Sequence, residues 1–143
     1  MTLAAKQRLV AGVLVVLAAW PLAHRVLVWR YDLDPWRFFG WAMYCTPKLP
    51  AEVHLFAYEN GERVPVPTST LSRPQRRAVY GLRRRRVVWG TLASPERAGA
   101  ALLAARPDAD AVEVVVEKWY LDTETASIAT HVEPHRFSRK ANR

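Results

Sequence analysis

The chain has 143 residues, half of them apolar, with 21 lysines and arginines against 13 acids; this allows one small domain plus an anchor and excludes two independent cores. Only four of the 21 cations are lysine, so the formal charge of +8 is carried by arginine, a balance that permits a polyanionic partner without demanding one. Cys45 is the only cysteine, which excludes an intramolecular disulfide framework and every multi-thiolate metal site; its open roles are a small buried residue among aromatics or a thiol that pairs between chains.

After the basic start MTLAAKQR, the run from Leu9 to Trp29 is apolar except at Pro21, His24 and Arg25. As a helix these residues would measure ~31 Å, close to the hydrocarbon thickness of a bilayer. Arg25 lies near one end, where its long stem lets the guanidinium reach the interface. A cleaved signal peptide is the competing reading, with Lys6 and Arg8 as n-region and Val10 to Leu17 as h-region. Neither Ala18 nor Ala23 follows a good small-x-small pattern and hydrophobicity resumes at VLVW, so a retained signal anchor over residues 1–30 is expected. Positive charges nearly balance across the run. The short basic start places the N-terminus inside and the body on the outer face of the cell membrane, as a single-pass protein.

Residues 31–50 form an aromatic juxtamembrane segment around DPWRFFGWAMYC. Asp34 followed by Pro35 predicts a helix start, with the helix running to about Tyr44. On a 3.6-residue period Trp36, Phe39 and Met43 share a face that Phe38 and Trp41 widen. With Trp20 and Trp29, four of the six tryptophans fall around one boundary. Trp29, Trp36, Phe38, Phe39, Trp41, Met43 and Tyr44 are therefore expected to meet lipid head groups or a membrane partner, the alternative being that these rings are core of the following domain. The segment, after an apolar helix and before AEVHLFAYENGERVPV, resembles the W-x-M-[FY] segment of small bacterial single-pass proteins that accompany multi-spanning membrane proteins of the vitamin K-dependent carboxylase-like (HTTM) group. The resemblance rests on Trp41, Met43 and Tyr44 and implies an accessory role beside an integral membrane protein. It carries over no catalytic residue.

Residues 51–135 read as a small α+β domain. EVHLFAY alternates Val53, Leu55 and Ala57 with His54, Phe56 and Tyr58, and Asn60-Gly61 predicts a hairpin. Pro65 and Pro67 make the returning strand an edge. SRPQ at 72–75 has capping-box spacing and opens a helix to about Arg86, with Val79 and Leu82 inward; SPER at 94–97 opens a second that ends before Pro107. AVEVVVEKWYL (111–121) is the clearest strand, and ASIATHVE is expected to pair back on it. The order ββααββ predicts a four-stranded antiparallel sheet with two helices on one face, followed by a flexible basic tail at 136–143.

Two side-chain groups invite chemistry. Arg73, Arg76, Arg77, Arg83, Arg84, Arg85 and Arg86 lie in a stretch with no acid between Arg63 and Pro95, and suit an anionic lipid surface or acidic partner. Nucleic acid is not expected, since no helix-turn-helix, aromatic RNP motif or Cys/His finger is present. In HVEPH, His131, Glu133 and His135 would share one strand face and form a plausible zinc or iron set, although Pro134 argues for a fraying edge. No nucleophile elbow, phosphate loop or haem motif occurs. The expectation is a membrane-anchored, non-enzymatic accessory protein without cofactor, whose partners are membrane lipid and an integral membrane protein. The alternatives are a membrane-tethered metalloprotein or hydrolase using His131, Glu133 and His135, and an anionic-lipid binder using the arginines.

Overall fold

The computed structural model describes residues 2–38, 49–122 and 124–139. Helix α1 (Leu3–Tyr31) starts at Thr2, whose hydroxyl accepts from Ala5 N at 3.3 Å. It passes through Pro21 and stops at Asp32, which takes a left-handed conformation (φ 53°). Its 29 residues make it long and apolar enough to cross a membrane, and only 6 % of its most apolar 18-residue window is buried. Leu14, Val15, Val16, Leu17 and Leu22 all stand exposed, so the first five turns contribute nothing to the domain core. The last three turns differ. Trp20, Pro21, Leu27, Val28 and Tyr31 are half-buried and His24 is buried, and the spacing 20–24–27/28–31 marks one helical face turned to the rest of the chain.

The remaining elements are β1 (Ala51–Glu59), β2 (Glu62–Pro65), α2 (Arg73–Trp89), α3 (Glu96–Ala105), β3 (Ala111–Asp122) and β4 (Ser127–Ser138). The strands form one antiparallel sheet in the order β2-β1-β3-β4. This is the α+β arrangement expected from the sequence. Asn60 (φ 53°) and Gly61 (φ 85°) both adopt the positive φ that a tight two-residue hairpin needs, and Pro65 sits on an edge strand where a missing N–H costs no ladder bond. The capping box at Ser72 forms, with Ser72 N donating to Gln75 Oε1 at 2.8 Å, and α2 runs almost a turn beyond Arg86 to Trp89.

Period two decides which strand residues meet the helices. Leu55 and Ala57 on β1 pair with Val114 and Val112 on β3, and this face packs against Val79 and Leu82 of α2 and Ala98 and Leu102 of α3. The opposite face is closed by polar side chains. Arg63 Nε donates to Glu113 Oε2 at 2.7 Å while its guanidinium lies 3.5 Å from the Phe56 ring centre, and Arg136 lies 4.3 Å over Tyr58.

Two expectations are corrected. Strand β4 does not fray at Pro134 but continues to Ser138, so Arg136, Phe137 and Ser138 belong to the sheet and not to a tail. Pro134 is tolerated because β4 is an edge strand with one neighbour, and Phe137 anchors its end by packing where a Cβ on Gly99 of α3 would stand. The helix expected from Pro35 does not begin either: residues 35–38 form turns, and Phe38 has φ 57°. Asp34 Oδ1 does accept from Trp36 N at 3.0 Å, as a helix start requires. Tertiary bonds override the propensity there, since Asp34 N donates to Val88 O at 3.0 Å and Phe38 O accepts from Trp20 Nε1 at 2.8 Å.

Candidate interaction site at the helix foot

The foot of α1 is tied to the domain by backbone as much as by side chains. Gly90, which follows α2, has φ 52° and lies so close to Tyr31 O and Asp32 O that any Cβ would overlap them. Only glycine satisfies both the conformation and the space. Beside it Thr91 Oγ1 donates to Tyr31 O at 3.2 Å, and Lys118 Nζ reaches Asp32 Oδ2 at 3.3 Å.

This junction leaves a cleft of about 790 Å³ between α1, the end of α2 and the far part of β3. Trp29 and Arg30 line it from the helix, and Trp119, Tyr120 and Leu121 from the strand. Its rim is apolar and open: Trp29 is 84 % exposed, Tyr120 49 % and Leu121 42 %. Ile128, paired with Leu121 across the hairpin, is 69 % exposed. Single exposed apolar residues are ordinary, whereas here several stand together beside an unburied apolar helix.

The floor is charged. Arg86 projects from α2 with its side chain only 2 % exposed, donating through Nη1 to Glu133 Oε2 at 2.8 Å and through Nη2 to His135 Nε2 at 3.1 Å. Lys118 donates to the other carboxylate oxygen, Glu133 Oε1, at 2.6 Å. Burial pushes the Glu133 carboxyl up, but the hydrogen bond and charge of Lys118, joined by the Arg86 charge, hold it below the usual carboxylate range. For His135, burial and then the Arg86 charge push the imidazole down. It is therefore neutral at pH 7, with its Nε2 lone pair accepting from Arg86 and its proton on Nδ1.

His131, Glu133 and His135 do share the helix-facing side of β4, in register with Lys118, Val116 and Val114. Glu133 and His135 already accept from Arg86 and Lys118. A metal ion at Glu133 would replace or face two cations, and the imidazoles stand 3.8 Å from the carboxylate with His131 mostly exposed. Among the described residues no group of three or more His, Cys, Asp or Glu is placed to hold a metal ion. A carboxylate held between Arg86 and Lys118 is also a weak base, so this network fixes α2 to β4 instead of presenting a proton acceptor.

The arginine run is split by the fold. Arg86 turns inward, and Arg83 bends to Ala51 O at 2.9 Å and to Glu52 at 3.9 Å. Arg77, Arg84 and Arg85 line a separate groove on the outer side of α2, joined by Arg97 from α3, while Arg73 and Arg76 lie outside it. Of the aromatic set, Trp29 and Trp36 are exposed and Phe38 packs 4.8 Å from the Trp89 ring; Phe39, Trp41, Met43, Tyr44 and Cys45 lie outside the described residues. Sequence reasoning passed over Gly90, Lys118 and Arg97. It also passed over the inward turn of Arg86, although the spacing Val79–Leu82–Arg86 puts that arginine on the buried face of its helix.

Comparison of the chain with models of protein families, with curated proteins and with solved structures found no match.

Proposed function

We propose that this chain is a membrane-anchored, non-enzymatic interaction protein. In this reading α1 is held in the bilayer as a single-pass anchor with the α+β domain on the outer face, and the surface around the helix foot receives an integral membrane protein. The observation that carries it is the open cleft in which Trp29 of the apolar helix and Trp119, Tyr120 and Leu121 of the domain converge. A surface built half from the anchor and half from the domain faces a partner that itself lies at the membrane boundary. The likeness of residues 31–66 to proteins accompanying carboxylase-like HTTM proteins makes a multi-spanning protein of that kind the first partner to test.

The test is site-specific photocrosslinking in intact cells, with a photoreactive residue at Trp29 or Leu121 and, as control, at Glu62 on the far edge strand. Adducts from positions 29 and 121 to one integral membrane protein, with none from 62, are expected. Adducts to lipid alone, or the same pattern from all three positions, would overturn the reading.

A further inference from the structure

The outer groove on α2 carries an inference beyond the partner cleft, although it rests on the same placement of α1 in a bilayer. Arg77, Arg84 and Arg85 from α2 and Arg97 from α3 line a space of about 500 Å³ together with Gly81 and Trp89. None of the four guanidinium groups has an ion-pair or hydrogen-bond partner among the described residues. Three arginines elsewhere in the domain are paired with acids: Arg63 with Glu113, Arg86 with Glu133 and Arg106 with Glu59. Four unpaired cations converging on one groove repel each other, and the missing counter-charge must come from outside the chain.

The position of the groove selects the source. Its Trp89 end is tied to the foot of α1, because Val88 O accepts from Asp34 N and the Trp89 ring stacks at a tilt on Phe38. The carbonyl of Phe38 in turn accepts from the indole of Trp20. Trp89 is of the residue type that settles at head-group level, and Arg84 and Arg85 lie only ~6–8 Å from it along the helix. We propose that this groove binds the phosphate of an anionic lipid of the bilayer that α1 enters, with Arg84, Arg85 and Arg97 as its charge partners and Trp89 against the glycerol region. Arginine suits the role because its planar fork can donate two parallel bonds to one phosphate.

The test uses the full chain in detergent, titrated with phosphatidylglycerol or phosphatidylcholine and read by native mass spectrometry. Phosphatidylglycerol is expected to bind selectively, and more weakly as salt rises. Arg84→Gln/Arg97→Gln should bind it on the order of 30-fold more weakly, at about a factor of five for each membrane-facing cation. Arg73→Gln/Arg76→Gln, with the same loss of charge outside the groove, should match wild type. Both pairs change exposed or half-exposed side chains without partners, so folding is retained. Equal binding of the two lipids, or equal loss in the two double variants, would overturn the proposal. Competition by inorganic phosphate or a soluble acidic peptide as effective as the lipid itself would make this a free-anion or protein site and overturn it too. Carbonate extraction separates this inference from its premise: a released chain removes the bilayer that both readings need, whereas a retained chain without lipid preference overturns the groove alone.

Discussion

Replacing Arg86 by methionine keeps most of the side-chain length and removes the charge that joins α2 to β4. The guanidinium is 2 % exposed, and the substitution breaks its bonds of 2.8 Å to Glu133 and 3.1 Å to His135. Removing one member of a buried ion pair costs roughly 3–5 kcal/mol, because the remaining charge stays desolvated. Glu133 is 18 % exposed and keeps Lys118 at 2.6 Å, so the lower end applies, about 3 kcal/mol. For a domain of this size that is a fall in melting temperature of roughly 12–24 °C, measurable by near-UV circular dichroism of the full chain in detergent. The control is Arg86→Met/Glu133→Leu, which removes both charges and leaves Lys118 with Asp32. If the pair is bound as described, the double variant is more stable than Arg86→Met alone, a coupling of at least ~1 kcal/mol. A single variant within ~0.5 kcal/mol of wild type, inside the range of surface substitutions, would refute the reasoning, as would a double variant whose loss equals the sum of the two singles.

Three further outcomes are expected. Gly90→Ala forces a Cβ into Tyr31 O and Asp32 O and should loosen the junction: hydrogen exchange at the Asp34 amide, now bonded to Val88 O, rises sharply while exchange in β3 is unchanged, and uniform exchange in both would argue against a local role. Gly99→Ala meets the Phe137 ring and should cost about 1–3 kcal/mol, with Gly99→Ala/Phe137→Leu recovering part of it; no recovery would mean that the ring is not the obstacle. Both Glu133 and His135 titrate below their ordinary values of 4.5 and 6.5, so the unfolded chain binds more protons and acid destabilises the fold. Stability should be full above pH 6.5 for the His135 contribution and above 4.5 for that of Glu133, each being lost as pH falls through the depressed value; His135→Gln should remove the first step, and a melting temperature that rises on acidification from neutral pH would contradict the sign.

What the sequence disclosed was the part of the fold governed by near neighbours. The Asn60-Gly61 turn, the Ser72–Gln75 capping box and the alternation of β3 each depend on contacts a few residues apart, and each is found where local chemistry puts it. The site depends on register between distant elements. His131, Glu133 and His135 were legible as one strand face, but that the face meets Arg86 and Lys118 follows from pairing β4 to β3 and from the way α2 crosses the sheet. The same long-range bonds to Val88 and Trp20 turned Pro35–Phe38 away from helix. Pro134 did mark an edge strand, and misled only about fraying, because on the open side of an edge a missing N–H costs no ladder bond and pairing continues to Ser138. The arginine run looked uniform as text, whereas helical period divides it into an inward residue, one that bends to β1 and a set facing the outer groove.

The central claim is that α1 lies in a bilayer with the cleft at its boundary, and depth measurement by electron paramagnetic resonance tests it most directly. Single spin labels at Leu14, Trp29, Leu121 and Ser69 would be placed in a Cys45→Ser background and the full chain reconstituted in lipid vesicles. The account predicts that the Leu14 label is deep and accessible to oxygen, that the Trp29 and Leu121 labels share head-group depth, and that the Ser69 label is in water. A Leu14 label as open to a water-soluble relaxation agent as the Ser69 label, or a Leu121 label far out in water from the Trp29 label, would contradict it.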